Sequence, residues 1–87
     1  MYTYKFTCGS DETYGPICHN YATACKEATD YVQSLVNSGW SVSTGNMDLI
    51  QEPYDIILNM DGKIARVVVG KLTFAQVWVR AQNVYQW

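Results

Sequence analysis

Residues 20–40, NYATACKEATDYVQSLVNSGW, decide the fold. At 3.6 residues per turn this stretch sorts apolar and polar side chains onto opposite faces, which predicts an amphipathic α-helix with one side on a core. Asn20 can cap its start by accepting a backbone N–H, and Gly39 can end it in a left-handed conformation, with Trp40 closing over Leu35. The apolar face comprises Tyr21, Ala24, Cys25, Ala28, Tyr31, Val32, Leu35 and Val36. The rest of the chain must supply the surface on which this helix packs.

Alternating apolar and polar residues predict strands on either side of the helix. Residues 2–8 alternate aromatic residues with threonine and lysine, and residues 40–44 form a shorter alternating run. Both patterns are typical of a strand with one solvated face. Residues 54–60 and 63–69 flank the dipeptide Asp61-Gly62, which predicts a hairpin with a type I′ turn because both turn positions need positive φ.

The two-residue turn also predicts the register of this hairpin and therefore its two faces. Leu58 faces Ala65 on the side that belongs to the core. On the opposite side Ile57 faces Arg66, with Ile64 and Val68 nearby on the second strand, so the outer side is only half polar. Apolar residues on a sheet face without a helix are typical of a partner-binding surface.

Three further segments complete the prediction. Residues 9–19 are rich in turn formers and predict a loop. Residues 47–53 fit either an irregular connection or one helical turn. Residues 74–86 keep apolar side chains at helical spacing, and Thr73, just before them, can form a capping box with Gln76 in the first turn.

The resulting fold class is α+β in the order β-α-β-β-β-α. Residues 1–87 are predicted to form a single globular domain, with an antiparallel sheet of three to four strands and two helices packed on one face. A common apolar surface for both helices is the reason for this arrangement.

Charge and cysteine content narrow the classes of function. The net charge is −2, charged residues make up 16%, and three cysteines are an odd number. Secreted small domains usually pair their cysteines. Met1 leads directly into a strand pattern, and no apolar run approaches the ~18 residues of a membrane span. We therefore expect a cytoplasmic protein with reduced thiols, in the host-cell cytoplasm if a phage encodes it.

No combination of side chains predicts catalysis or a cofactor. Cys8, Cys18, His19 and Cys25 lack the short C-x2–4-C spacing that zinc sites use, and two of these residues are adjacent. Adjacent Cys18 and His19 also make a poor nucleophile and base. We expect no metal site, no cofactor and no enzyme activity.

The α-β-β-β-α order of residues 20–86 resembles that of a double-stranded RNA-binding domain. That resemblance implies phosphate contacts from a lysine-rich start of the last helix. Here residues 70–73 read GKLT with one lysine, and Lys63, Arg66 and Lys71 are the candidate cluster. Nucleic-acid binding is therefore the alternative function, opposed by the acidic charge balance.

By elimination, the sequence predicts a binding module for a protein or protein complex. Its size is similar to that of small phage and mobile-element inhibitors such as anti-CRISPR proteins, which implies inhibition by occluding a macromolecular partner. One candidate surface is formed by the acidic loops, the other by the outer hairpin face, and a homodimeric adaptor domain is a further alternative. The candidate contact residues are Asp11, Glu12, Tyr14, Asp48 and Glu52 in the loops, and Ile57, Ile64, Arg66 and Val68 on the hairpin.

Overall fold

An antiparallel sheet with one long helix forms the framework of the protein. The computed structural model describes residues 1–46, 52–73 and 75–77, and within these residues the sheet has five strands in the order β2-β1-β5-β4-β3. Helix α1 packs on β1 and β5 at the centre of the sheet. The elements are β1 (Tyr2–Cys8), β2 (Asp11–Tyr14), α1 (Tyr21–Asn37), β3 (Ser41–Thr44), β4 (Asp55–Met60) and β5 (Lys63–Lys71).

The α+β class is confirmed, but the predicted strand number and element order are wrong. The segment predicted as a loop over residues 9–19 contains β2, so the order begins β-β-α rather than β-α. All of β2 is exposed on both faces. An edge strand that buries neither face has no reason to alternate apolar and polar residues, and periodicity therefore misses it.

Helix α1 begins and ends as its sequence predicts. The Asn20 side chain accepts a hydrogen bond from the Thr23 N–H at 2.8 Å. Gly39 has φ +112°, and the Trp40 N–H donates to the Leu35 carbonyl at 3.1 Å. These bonds form a Schellman ending, which satisfies carbonyls that the last turn would leave without partners. Its apolar face lies on the sheet, and Ala24, Cys25, Ala28 and Val32 are fully buried.

The hairpin of β4 and β5 has the predicted register. Leu58 pairs with Ala65, Ile57 with Arg66 and Asn59 with Ile64. The turn residues Asp61 and Gly62 have φ +51° and +84°, as a type I′ turn requires. The helix-side residues of these strands, with Tyr4 and Phe6 of β1, form the core against α1.

The helix predicted over residues 74–86 is confirmed only at its start. The Thr73 N–H donates to the Gln76 side chain at 2.8 Å, and the Gln76 N–H donates to Thr73 Oγ1 at 3.2 Å, which is the predicted capping box. Residues 75–77 are helical. The rest of the predicted helix over residues 74–86 lies outside the described residues, as does most of the ambiguous segment 47–53.

Candidate protein-interaction surface

The sheet presents a second face on the side opposite α1, and most predicted contact residues lie on it. Cross-strand pairing defines this outer face, because directly paired residues point to the same side of a sheet. One row runs Tyr14–Lys5–Val68–Asp55 from β2 to β4, and the next runs Glu12–Thr7–Arg66–Ile57. Ile64 and Asn59 begin a third row near the hairpin turn. The outer face therefore joins Glu12 and Tyr14 to Ile57, Ile64, Arg66 and Val68.

Three aliphatic residues form a cluster near the middle of the outer face. Ile57 on β4 lies opposite Arg66, so its diagonal neighbours on β5 are Ile64 and Val68, at about 7–8 Å between backbones. Ile64 is 56% exposed, whereas Ile57 and Val68 are half-buried. We call Ile57, Ile64 and Val68 the aliphatic cluster.

Charged residues on the outer face are paired with one another. The Lys5 ammonium lies 3.2 Å from a Glu12 carboxylate oxygen and 5.8 Å from the centre of the Tyr14 ring. The Arg66 guanidinium forms a two-point ion pair with Asp55. Hydrogen bonds from Arg66 hold the pKa of Asp55 below its usual value, and the hydrogen bond to Glu12 raises the pKa of Lys5. The face is consequently close to neutral, and the Arg66–Asp55 pair lies among the residues of the aliphatic cluster.

The predicted acidic-loop surface is divided by the structure. Asp11 and Glu12 lie in β2 rather than in a loop, and they point to opposite sides, since Glu12 pairs with Thr7 and Asp11 pairs with Cys8. Glu52 is exposed in the stretch before β4. Asp48 lies outside the described residues. Glu12 and Tyr14 therefore belong with the hairpin residues, whereas Asp11 lies on the opposite side of the sheet.

The three basic residues proposed for nucleic-acid binding do not form one patch. Lys63 begins β5 and Lys71 ends it, which separates them by about 26 Å at 3.3 Å per residue. Arg66 lies between them, but its guanidinium is bound to Asp55. Phosphate binding by this trio would first have to break that ion pair.

The cysteines lie apart from the outer face and are largely enclosed. Cys25 is fully buried and Cys18 is 7% exposed, and burial raises the pKa of both thiols. His19 is exposed at the entry to α1. Within residues 1–46, 52–73 and 75–77, no group of three or more His, Cys, Asp or Glu side chains is arranged to hold a metal ion.

Sequence reasoning missed how β2 contributes to this face, although a signal for it existed. Gly9-Ser10 separates β1 from Asp11–Tyr14 by two residues, and glycine at the first position is typical of a II′ hairpin turn. Gly9 has φ +61° in the structure. The dipeptide, rather than the hydrophobic pattern, was the available evidence for the strand.

No protein-family model matches the chain, and comparisons with curated proteins and with solved structures also found no match. For the residues that the structure describes, none of the helices has the length and apolar character needed to cross a membrane.

Proposed function

We propose that this chain is a non-enzymatic protein-binding module whose contact surface is the outer face of the sheet. The observation that carries the proposal is the aliphatic cluster, with Ile64 more than half exposed near the start of β5. Removing such side chains from water on binding is favourable by about 25 cal/mol per Å² of apolar area. Exposed aliphatic groups collected on one face are typical of interaction sites.

The paired charges define what kind of partner suits this face. Lys5 pairs with Glu12 beside the aliphatic cluster, and Arg66 pairs with Asp55 among the residues of the cluster, so these charges already satisfy one another. A strongly charged partner would gain little attraction from a face that is close to neutral. The proposed partner surface is therefore apolar with polar margins, and association should depend only weakly on salt.

In this proposal the module inhibits its partner by covering part of the partner's surface. Bound through the outer face, it covers a surface that a macromolecular partner needs for its own work, as small phage-encoded inhibitors such as anti-CRISPR proteins do. The chain has 87 residues, and its principal extents are 36 × 28 × 17 Å. A body of that shape can present one broad face to a larger protein or complex, which supports inhibition by occlusion.

The experiment is affinity capture from a lysate with matched baits. Ile64→Glu places a charge in the aliphatic cluster, whereas Val42→Glu makes the same kind of change at an exposed β3 position on the helix side of the sheet. A partner of the outer face is retained by the wild type and by Val42→Glu and lost from Ile64→Glu. A protein captured equally by all three baits contradicts the proposed surface.

Native mass measured by light scattering separates this proposal from self-association. A monomeric wild type agrees with a surface kept for another protein. A dimer that Ile64→Glu converts to a monomer would assign the outer face to a second copy of the chain and would replace the proposal with a homodimeric adaptor.

A further inference from the structure

The edge of the sheet formed by β2 is a second surface with the features of a binding site. β2 pairs with β1 on one side and ends the strand order, and each of its residues is exposed. Within the part of the chain that the structure describes, no strand pairs with its outer side. An open edge offers backbone donors and acceptors to an added strand.

The hydrogen-bond pattern shows which backbone groups face outward. The Gly15 N–H donates to the Tyr4 carbonyl at 3.0 Å, so Tyr4 and Gly15 form a hydrogen-bonded pair. Such pairs alternate along an antiparallel ladder, which makes Thr13 and Asp11 the next residues to bond with β1. Glu12 falls between them, and its N–H and carbonyl therefore point away from β1.

Carboxylates lie on both sides of this edge. Glu12 is on the outer face, and Asp11 is on the helix side, where it pairs with Cys8. Glu12 has Lys5 as a partner, whereas no cation of the described residues forms an ion pair with Asp11. The edge is net negative.

We propose that the β2 edge binds an extended protein segment that carries two adjacent lysine or arginine residues. Successive residues of a strand point to opposite faces, so an added strand can place one cation beside Glu12 and the next beside Asp11. Its backbone bonds to the N–H and carbonyl of Glu12. Pairing β2 with a second copy of itself would instead bring like charges together, which disfavours self-association at this edge.

The test uses the peptide Thr-Val-Lys-Lys-Val-Thr, with Thr-Val-Glu-Glu-Val-Thr as its control, added to isotope-labelled protein. The expected result is binding of the basic peptide only, weakened as salt rises from about 0.05 M to about 0.5 M. Amide exchange at Glu12 should slow on binding, because that N–H becomes a donor to the peptide. Equal binding of both peptides, or unchanged exchange at Glu12, would overturn the proposal.

Two substitutions at Glu12 separate the backbone from the charge. Glu12→Gln removes the carboxylate and keeps the N–H, so affinity should fall about two- to fivefold, the effect of an exposed ion pair. Glu12→Pro removes the backbone N–H that points away from β1. Edge strands tolerate proline at such positions because the β1–β2 ladder does not use that N–H, but the substitution should abolish peptide binding. Unchanged binding by Glu12→Pro overturns the proposal. If this variant does not fold, the amide-exchange measurement on the wild type provides the test instead.

The outer face and the β2 edge are tested independently. Ile64→Glu changes the aliphatic cluster and leaves β2 intact, so it should bind the basic peptide as the wild type does. Loss of peptide binding in Ile64→Glu would place the peptide on the outer face and contradict the edge proposal.

Discussion

Arg66 donates two hydrogen bonds to Asp55 across β4 and β5 on the outer face, with Nε 2.8 Å from Oδ1. Asp55 pairs directly with Val68, and Arg66 pairs with Ile57, so the ion pair spans the ladder diagonally. A two-point guanidinium–carboxylate contact fixes both side chains in orientation as well as in distance. Arg66 is thereby directed towards Asp55 beside the aliphatic cluster.

The ion pair predicts how stability depends on pH. The pKa of Asp55 is lowered in the folded protein, so its contribution is present above the carboxyl's unfolded pKa of about 3.9 and is lost as pH falls through the folded pKa. The wild type should melt above Asp55→Asn at pH 7, and the difference should disappear in acid. Thermal unfolding of both proteins across this range checks the prediction. A difference that is the same at pH 7 and in strong acid would contradict it.

The space at position 15, beside β1, is too small for any side chain larger than that of glycine. A Cβ atom at this position would collide with the ring of Tyr4, which is buried and stacked on Tyr31. Gly15→Ala should therefore lower the free energy of unfolding by about 1–3 kcal/mol, the usual cost of overpacking.

Gly70 provides the matched control, because a Cβ there meets nothing within 4 Å. Gly70→Ala should be neutral or stabilise the fold by up to about 1 kcal/mol, since alanine restricts the unfolded chain. Urea unfolding of both variants makes the comparison. Equal effects of the two substitutions would show that the Tyr4 contact does not limit position 15.

The N-cap of α1 predicts that replacing Asn20 destabilises the fold more than replacing Asn37. Asn20 accepts the Thr23 N–H at the helix start, whereas the Asn37 side chain at the other end accepts from the exposed Gln33 side chain. Asn20→Ala should cost about 0.5–2 kcal/mol of unfolding free energy, and Asn37→Ala should stay within about 0.5 kcal/mol. Denaturant unfolding tests this, and a larger loss for Asn37→Ala would be the contrary result.

The exposure of Ile64 on the outer face predicts that this residue can be changed without loss of the fold. Ile64 is 56% exposed, whereas Ile56 on the neighbouring strand is 1% exposed in the core. Ile64→Glu should change the free energy of unfolding by about 0.5 kcal/mol or less, and Ile56→Ala should cost about 2–5 kcal/mol. Thermal melts distinguish them. A comparable loss from Ile64→Glu would mean that this side chain serves the core.

Local sequence rules predicted the elements that depend on contacts between residues close together in the sequence. The Asp61-Gly62 turn determined the register of β4 and β5, and Asn20 and Gly39 delimited α1, because each relies on contacts within a few residues. These elements also placed Ile57, Ile64 and Val68 correctly on one face.

The remaining features depend on contacts between distant segments. Thr3 was expected on a solvated face, but it is 4% exposed, and its hydroxyl lies 2.9 Å from the carbonyls of both Gly15 and Pro16. The segment after β2 covers Thr3, and no sequence pattern in β1 predicts that this residue is buried. The joining of Glu12 and Tyr14 to the hairpin residues arises in the same way, through pairing of β2 with β1.

The most direct test of the proposed interaction surface is the dissociation constant of a captured partner, purified and titrated with the wild type, Ile64→Glu and Val42→Glu. A hot-spot contact residue contributes at least about 2 kcal/mol, and on our proposal Ile64 is such a residue, so Ile64→Glu should weaken binding about 30-fold or more. Val42→Glu should match the wild type, and the wild-type affinity should change little with salt. Equal dissociation constants for the three proteins would contradict the assignment of the outer face.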